Sequence, residues 1–312
     1  MSYYASLINE NKSDPKVLFN TMDRMLHRKP QNHYPSGGSP KELCDKFADF
    51  FCDKIVTIRH QLDTLSITGA PAFPLIDDAI ITYELIEFSP TSEDELSGFV
   101  NKIAAKSCSL DPVPASLLRY CIDDLLPIIK SIVNLSFISA SMPSAMKNAV
   151  SSPLLKKRSL DFEIFSNFRP VSNLKFLPKV IEKAAALRLL IRNTTVVRLR
   201  IYVHNNILKS IDDKQCVVLL LLDLSAAFDK VDHKILLHRL RSRFGIKGKA
   251  LSWLQSYLTD RSQSVQIDGF TSSVRPLRFG VPQGSVLGPL LYLLYTAPRG
   301  DLIRCHDMDI HL

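Results

Sequence analysis

The hydrophobic positions change their period along the chain. Leu43, Phe47, Phe50, Phe51, Ile55 and Ile58 recur at helical steps and predict a core-packing helix. A weaker helical pattern (Val17, Leu18, Met22, Met25, Leu26) runs through the polar stretch 1–28. Residues 29–41 (KPQNHYPSGGSPK) are rich in Pro, Gly and Ser and read as a linker. Residues 63–90, with Pro71, Pro74 and Pro90, read as an irregular connector. Thr91-Ser92 ahead of Asp94-Glu95 predicts a capped helix to about Ala105. The turn Asp111-Pro-Val-Pro114 then opens a helix over Ala115–Cys121, and a long apolar helix follows around Leu125–Phe137.

The texture changes after residue 145. Ala149–Leu155 is a short apolar strand candidate. The run Asn167-Phe-Arg-Pro-Val-Ser172 is a loop or strand rim, because Pro170 biases Arg169 toward extended geometry. Lys179–Ile191 reads as a helix. Val217–Leu222 is an unbroken apolar run, a strand buried on both faces, and it ends at Asp223. Val231–Phe244 and Lys249–Leu258 read as helices, and Gln263–Ile267 and Val274–Arg278 as strands around the turn Asp268-Gly269. A turn over Gly280–Gly284 leads into an apolar helix, Ser285–Tyr295. The order predicts an α+β chain, with a helical N-terminal region over 1–145 and a second unit over 146–312.

Composition narrows the class. Of 312 residues 46% are hydrophobic, an ordinary globular value. No apolar stretch is long enough for a membrane span, and the start lacks the basic and apolar regions of a secretory signal. Six cysteines with no Cys-x-x-Cys pair argue against a zinc site or a disulfide scaffold and suit buried thiols in a reducing compartment. The expectation is an intracellular protein that does not engage membranes.

The net charge of +8 is unevenly spread. Residues 147–200 hold twelve Lys and Arg against three Asp and Glu, so the remainder sums to −1. A phosphate-binding surface and a solvated basic face both fit that segment. Asp223 at a strand exit is either a helix cap or a ligand for a divalent cation, since a buried carboxylate needs a partner. Asp229 and Asp232-His233 read as caps and first-turn charges of the following helix.

Two segments point further. Asp223-Leu-Ser-Ala-Ala-Phe-Asp229 and Gly280-Val-Pro-Gln-Gly-Ser-Val-Leu-Gly-Pro-Leu-Leu-Tyr292 resemble motifs A and B of reverse transcriptases, in the wording of the non-LTR (LINE-type) retrotransposon branch. Pro153-Leu-Leu-Lys-Lys157, Asn167–Leu174, Lys179-Val-Ile-Glu-Lys183 and Ser256–Gln263 are similar to the flanks of that branch, and fit it better than group II intron maturases or telomerase. The resemblance implies an incomplete right-hand fingers and palm over 146–312 and an RNA-directed DNA polymerase. Its partners would be an RNA template, a DNA primer and deoxynucleoside triphosphates, and its cofactor Mg²⁺. Asp223 and the Leu224 carbonyl would be metal ligands, with Asp223 the catalytic carboxylate. Phe228 would be the steric gate that selects deoxynucleotides. Lys156 or Lys157 and Arg169 would reach the triphosphate. Gln283 and Gly284 would meet nucleotide and template.

The resemblance also implies departures. The family's Tyr-Ala-Asp-Asp turn is expected just after Arg304–Leu312, and Asp307 and Asp309 do not replace it. The stretch at Arg192–Thr195 is shorter than the family's, and neither a thumb nor an endonuclease is recognisable. A catalytically inactive fragment is therefore expected. The alternative is a non-catalytic nucleic-acid-binding remnant that uses its basic fingers region.

Overall fold

The computed structural model describes residues 34–67, 84–103, 108–192 and 227–304, with Met22 and Asp212 as single positions. The apolar run Val217–Leu222, Asp223, Leu224 and the stretches 193–200 and 305–312 lie outside the described residues.

The expected first stripe is a long helix, α1 (Pro40–Ile67), which takes in the start of the supposed connector. Helix α2 (Glu93–Lys102) begins where its cap predicts: the Ser92 side chain accepts the Glu95 N–H. Helices α3 (Ala115–Tyr120) and α4 (Ile122–Ile138) follow. Strands β1 (Asn148–Leu155) and β2 (Phe168–Asn173) pair antiparallel, so the rim at Asn167–Ser172 is a strand. Helix α5 (Phe176–Arg192) matches its expected span closely. Beyond it come α6 (His233–Ser242) and α7 (Gly248–Leu258), strands β3 (Arg261–Ile267), β4 (Phe270–Thr271) and β5 (Arg275–Leu277), and helices α8 (Gly288–Thr296) and α9 (Pro298–Arg304). The chain is thus a mixed helix-and-sheet fold.

The sheet has five strands in the order β2-β1-β3-β4, with β5 also on β3. β1 and β3 run parallel; the other pairs are antiparallel. Asp268 and Gly269 both take positive φ, 48° and 88°, the twist a two-residue hairpin needs. That hairpin joins β3 to the short β4, and the expected partner strand, β5, comes later.

Two cores hold the elements. In one, Cys44, Phe47, Ala48 and Phe51 of α1 meet Phe168, Val265 and Ile267 on one face of the sheet. Residues 34–39, inside the expected linker, lie against this core. Tyr34 stacks on Phe168, and Ser36 donates its N–H and hydroxyl to Glu163. The larger core gathers α2, α4, α5, α6, α7 and α8. At its centre Trp253 meets Phe88 and Phe137 edge-on, stacks on Tyr257, and donates Nε1–H to Ser136 Oγ at 2.9 Å. Contacts in both cores therefore cross position 145. Cys44 and Cys108 are buried free thiols, and Cys52 and Cys121 are half-buried ones. Among the described residues no helix is long and apolar enough to cross a membrane.

Candidate functional site

Two turns and a strand converge. The Phe228 turn (Phe228–Lys230) and the turn from Gly280 to Gly284 are laced by backbone: Val281 N–H donates to Phe228 O at 3.0 Å and Gly280 N–H to Val231 O at 2.8 Å. The second turn also docks on β2, where Ser172 N–H donates to Gln283 O at 2.8 Å. Glycine is required here for two reasons. Gly284 has φ 114°, and a Cβ on it would stand 2.5 Å from Ser172 O. His233 Nε2 lies 2.7 Å from Gly280 O, and burial pushes its imidazole pKa down, so the neutral ring serves as a clip between α6 and the turn.

The sequence candidates fall around this junction. Phe228 is half-buried and packs on Tyr292 at 5.6 Å between ring centres. Gln283 is half-buried and Gly284 exposed. Arg169 is exposed on β2, opposite Leu154, on the sheet face away from α1. Lys156 leaves β1 with its ammonium donating to Ser166 O at 2.8 Å, and Lys157 stands exposed beside it. Lys156 also lies near enough to Asp229 to help favour its ionised form. Phe228, Gln283, Gly284 and the strand of Arg169 are thus brought together, whereas Lys157 meets none of them.

Asp232 is the N-cap expected: its Oδ1 accepts from Lys234 N at 2.8 Å and Ile235 N at 3.1 Å. Asp229 is not a cap. It sits in the Phe228 turn, largely buried, 3.4 Å from Lys54 of α1. Burial raises its carboxyl pKa, and the Lys54 ammonium opposes that. Arg59 of α1 completes the clamp. Its guanidinium pairs with Asp232 at 2.9 Å, donates to Lys230 O at 3.1 Å, and lies 4.5 Å over the Phe279 ring. Lys54 and Arg59 follow Phe51 by three and eight residues, so helical spacing puts them on the face that carries the apolar stripe. The cavity between α1 and the turns is only about 20 Å³, room for about one water and not for a nucleotide.

A buried charge behind the second turn escapes sequence reading. Glu182 of α5 is fully buried, and its Oε2 accepts N–H groups from Val286, at 2.6 Å, and Leu287, at 3.3 Å, ahead of α8. Burial drives its pKa upward, against the nearby Arg261 charge. Arg261 is itself buried, stacked at 4.7 Å over Tyr257 and donating to Tyr257 O at 3.0 Å. Only its helical spacing hinted at an inward face: Ala185, Ala186 and Leu189, three, four and seven residues on, are all buried.

The described residues contain no group of three His, Cys, Asp or Glu side chains able to hold a metal ion. Asp229 and Asp232, the carboxylates nearest Phe228 in sequence, are engaged by Lys54 and Arg59.

The junction lies in a part of the chain that resembles known proteins. Residues 155–307 match the family model of reverse transcriptases (RNA-dependent DNA polymerases). The chain is 28% identical over 230 residues to the RNA-directed DNA polymerase from mobile element jockey of Drosophila melanogaster, covering 68% of this chain and 25% of that protein. It is 35% identical over 177 residues to the probable RNA-directed DNA polymerase from transposon BS of the same fly, covering 47% and 19%. It is 28% identical over 233 residues to the transposon TX1 uncharacterized 149 kDa protein of Xenopus laevis, covering 69% and 17%. The chain spans a quarter or less of the length of these relatives. The junction of the Phe228 turn with the Gly280 turn lies inside the matched region, and residues 155–307 are a reverse transcriptase domain of the non-LTR, LINE-type retrotransposon kind.

Proposed function

We propose that the described residues within 146–312 form the fingers and part of the palm of an RNA-directed DNA polymerase, the part that holds the nucleotide and template. The observation that carries this reading is the backbone lacing of three separate segments, the Phe228 turn, the Gly280–Gly284 turn and β2, into one junction. Phe228, packed on Tyr292, would lie under the sugar and leave no room for a 2′-hydroxyl. Gln283 and Gly284 would face the nascent pair. Lys156, Lys157 and Arg169 would neutralise the triphosphate, Arg by a bidentate fork and Lys as a point charge.

Reverse transcriptases depend on a divalent metal, and we assign Mg²⁺ on the resemblance alone. Asp223 and the Leu224 carbonyl would hold it, and when bound it would neutralise charge on the transferring phosphate. Mg²⁺ sites use one or two carboxylates plus substrate phosphates. Within these 312 residues Asp223 is the one carboxylate that the motif wording offers, and no Tyr-Ala-Asp-Asp run occurs. The 312-residue chain is therefore expected to bind a primer–template without extending it.

The test pairs a binding assay with an extension assay on the purified chain. Salt-sensitive binding of an RNA template annealed to a DNA primer is expected. Replacing Lys156, Lys157 and Arg169 together by Gln should weaken binding and flatten its salt slope by roughly 0.7–0.9 for each phosphate no longer neutralised. Absence of salt-dependent binding would overturn the polymerase reading. Extension that disappears in Asp223→Ala would overturn the inactive one.

A further inference from the structure

Lys156-Lys157-Arg158 is the one run of three consecutive Lys or Arg in the chain, and Ser159 follows it directly. The run leaves the end of β1 and turns, with Leu160 N–H donating to Lys157 O at 3.1 Å. All four residues, 156 to 159, are exposed. Among the described residues the Ser159 hydroxyl has no hydrogen-bond partner, and none of the three cations has a carboxylate within ion-pair distance. The acids of the same loop are turned to other groups. Asp161 Oδ1 accepts the Glu163 N–H at 2.9 Å, and Glu163 Oε2 accepts the Ser36 N–H at 2.9 Å and its hydroxyl at 3.0 Å.

A cationic run on the N-terminal side of an exposed serine is the charge pattern read by a protein kinase with an acidic substrate groove. The fold sets Ser159 apart from other serines in basic sequence. Among the described residues Ser172, Ser242 and Ser264 each follow an arginine by three places. The Ser172 hydroxyl is bonded to that of Ser151 within the sheet, at 3.1 Å. Ser242 donates to His238 O at 3.0 Å, and Ser264 is buried on β3. Ser159 alone of the four stands in an exposed turn, which an enzyme can draw out without breaking a helix or a strand ladder.

A phosphoserine carries a charge near −2 and three strong acceptor oxygens. At position 159 it would take the charge of residues 156–159 from +3 to about +1 and give Lys157 and Arg158 an anion on their own loop. We propose that Ser159 is a phosphorylation site for a protein kinase that selects basic sequences, and that its phosphate competes with a polynucleotide for Lys156, Lys157 and Arg158. In the transfer Ser159 Oγ bonds to the γ-phosphorus of ATP, the bond from that phosphorus to the bridging oxygen breaks, ADP leaves, and the hydroxyl proton passes to the kinase's base. The competition rests on the reading that Lys156 and Lys157 neutralise substrate phosphates; the modification itself does not.

The full chain and Ser159→Ala are treated with a basophilic serine kinase and ATP, and the modified position is mapped by peptide mass spectrometry. Binding of a labelled RNA template annealed to a DNA primer is then titrated over a range of KCl. Phosphate is expected at Ser159 of the folded parent. It should lower the slope of log K against log salt by roughly 1.4–1.8, the share of two cations at 0.7–0.9 each. Ser159→Ala, treated or untreated, should keep the parent's slope, and phosphatase should restore it in the modified parent. A treated chain with no phosphate at Ser159 overturns the site. Phosphate at Ser159 with an unchanged slope, the parent still binding, overturns the competition. A slope that stays low after dephosphorylation overturns it too, because the loss then comes from the fold. A parent without salt-dependent binding overturns the polymerase reading, while the mass mapping still decides the site.

Discussion

Single residues set the geometry of the junction, and Glu182 is the sharpest case. Its carboxylate accepts two backbone N–H groups at the start of α8, inside the core. Glu182→Ala leaves both donors buried without an acceptor and opens a void. It should cost about 2–5 kcal/mol in chemical denaturation. Glu182→Gln keeps one acceptor oxygen and removes a buried charge, so it should cost much less. The pH dependence has a definite sign. The native pKa of Glu182 lies above its ordinary value of 4.5, so its favourable contribution is full below that value and is lost as pH rises through the native pKa. The stability of the parent relative to Glu182→Gln should therefore fall from acid toward neutral pH. A difference that grows with pH would contradict the buried-charge account. Gly284→Ala tests the docked turn. Its left-handed φ and the 2.5 Å approach to Ser172 O predict a loss of about 1–3 kcal/mol, read in the same assay.

At the scale of elements, α1 is the piece whose role the sequence half disclosed. Its apolar stripe was legible because Phe47 and Phe51 repeat at helical spacing. Lys54 and Arg59 share that face, but a Lys or Arg among apolar positions more often reaches past them to water. Their partners, Asp229 and Asp232, lie more than 170 positions away in sequence. The caps at Ser92 and Asp232 were legible for the opposite reason, since a cap is decided within three residues. Asp229 reads as a local charge in the sequence because its lysine is so distant. Arg59→Ala should cost about 3–5 kcal/mol, because it leaves Asp232 without its largely buried partner and also removes the bond to Lys230 O. Asp232→Asn weakens the ion pair while retaining a capping oxygen, so a smaller loss is expected there. Equal losses in the two variants would show that the charge pairing alone sets the cost, and that neither the unpaired carboxylate nor the bond to Lys230 O adds to it.

At the scale of the whole molecule, the change of texture at residue 145 suggested two regions, and packing draws on both sides of that position. A composition shift reports which elements a stretch forms. It is silent on which elements share a core, because that depends on contacts between distant positions. Phe88 and Phe137 come from one side, and Trp253, their common neighbour, from the other. Phe47 and Phe51 likewise bury against Phe168 across the same position. Shared cores predict a single cooperative transition. Trp253 is the sole tryptophan, so its fluorescence reports on the helical core, whereas far-UV circular dichroism follows the backbone of sheet and helices together. The two signals should coincide through a urea titration of the full chain. Phe137→Ala, which removes an edge-on neighbour of Trp253 at 5.7 Å, should shift both midpoints together by the equivalent of about 3–5 kcal/mol. Fluorescence that moves while the dichroism midpoint stays would mean that the helical core unfolds apart from the α1-covered sheet. The helical core and the α1-covered sheet would then be two cooperative units, with a boundary that follows neither side of position 145.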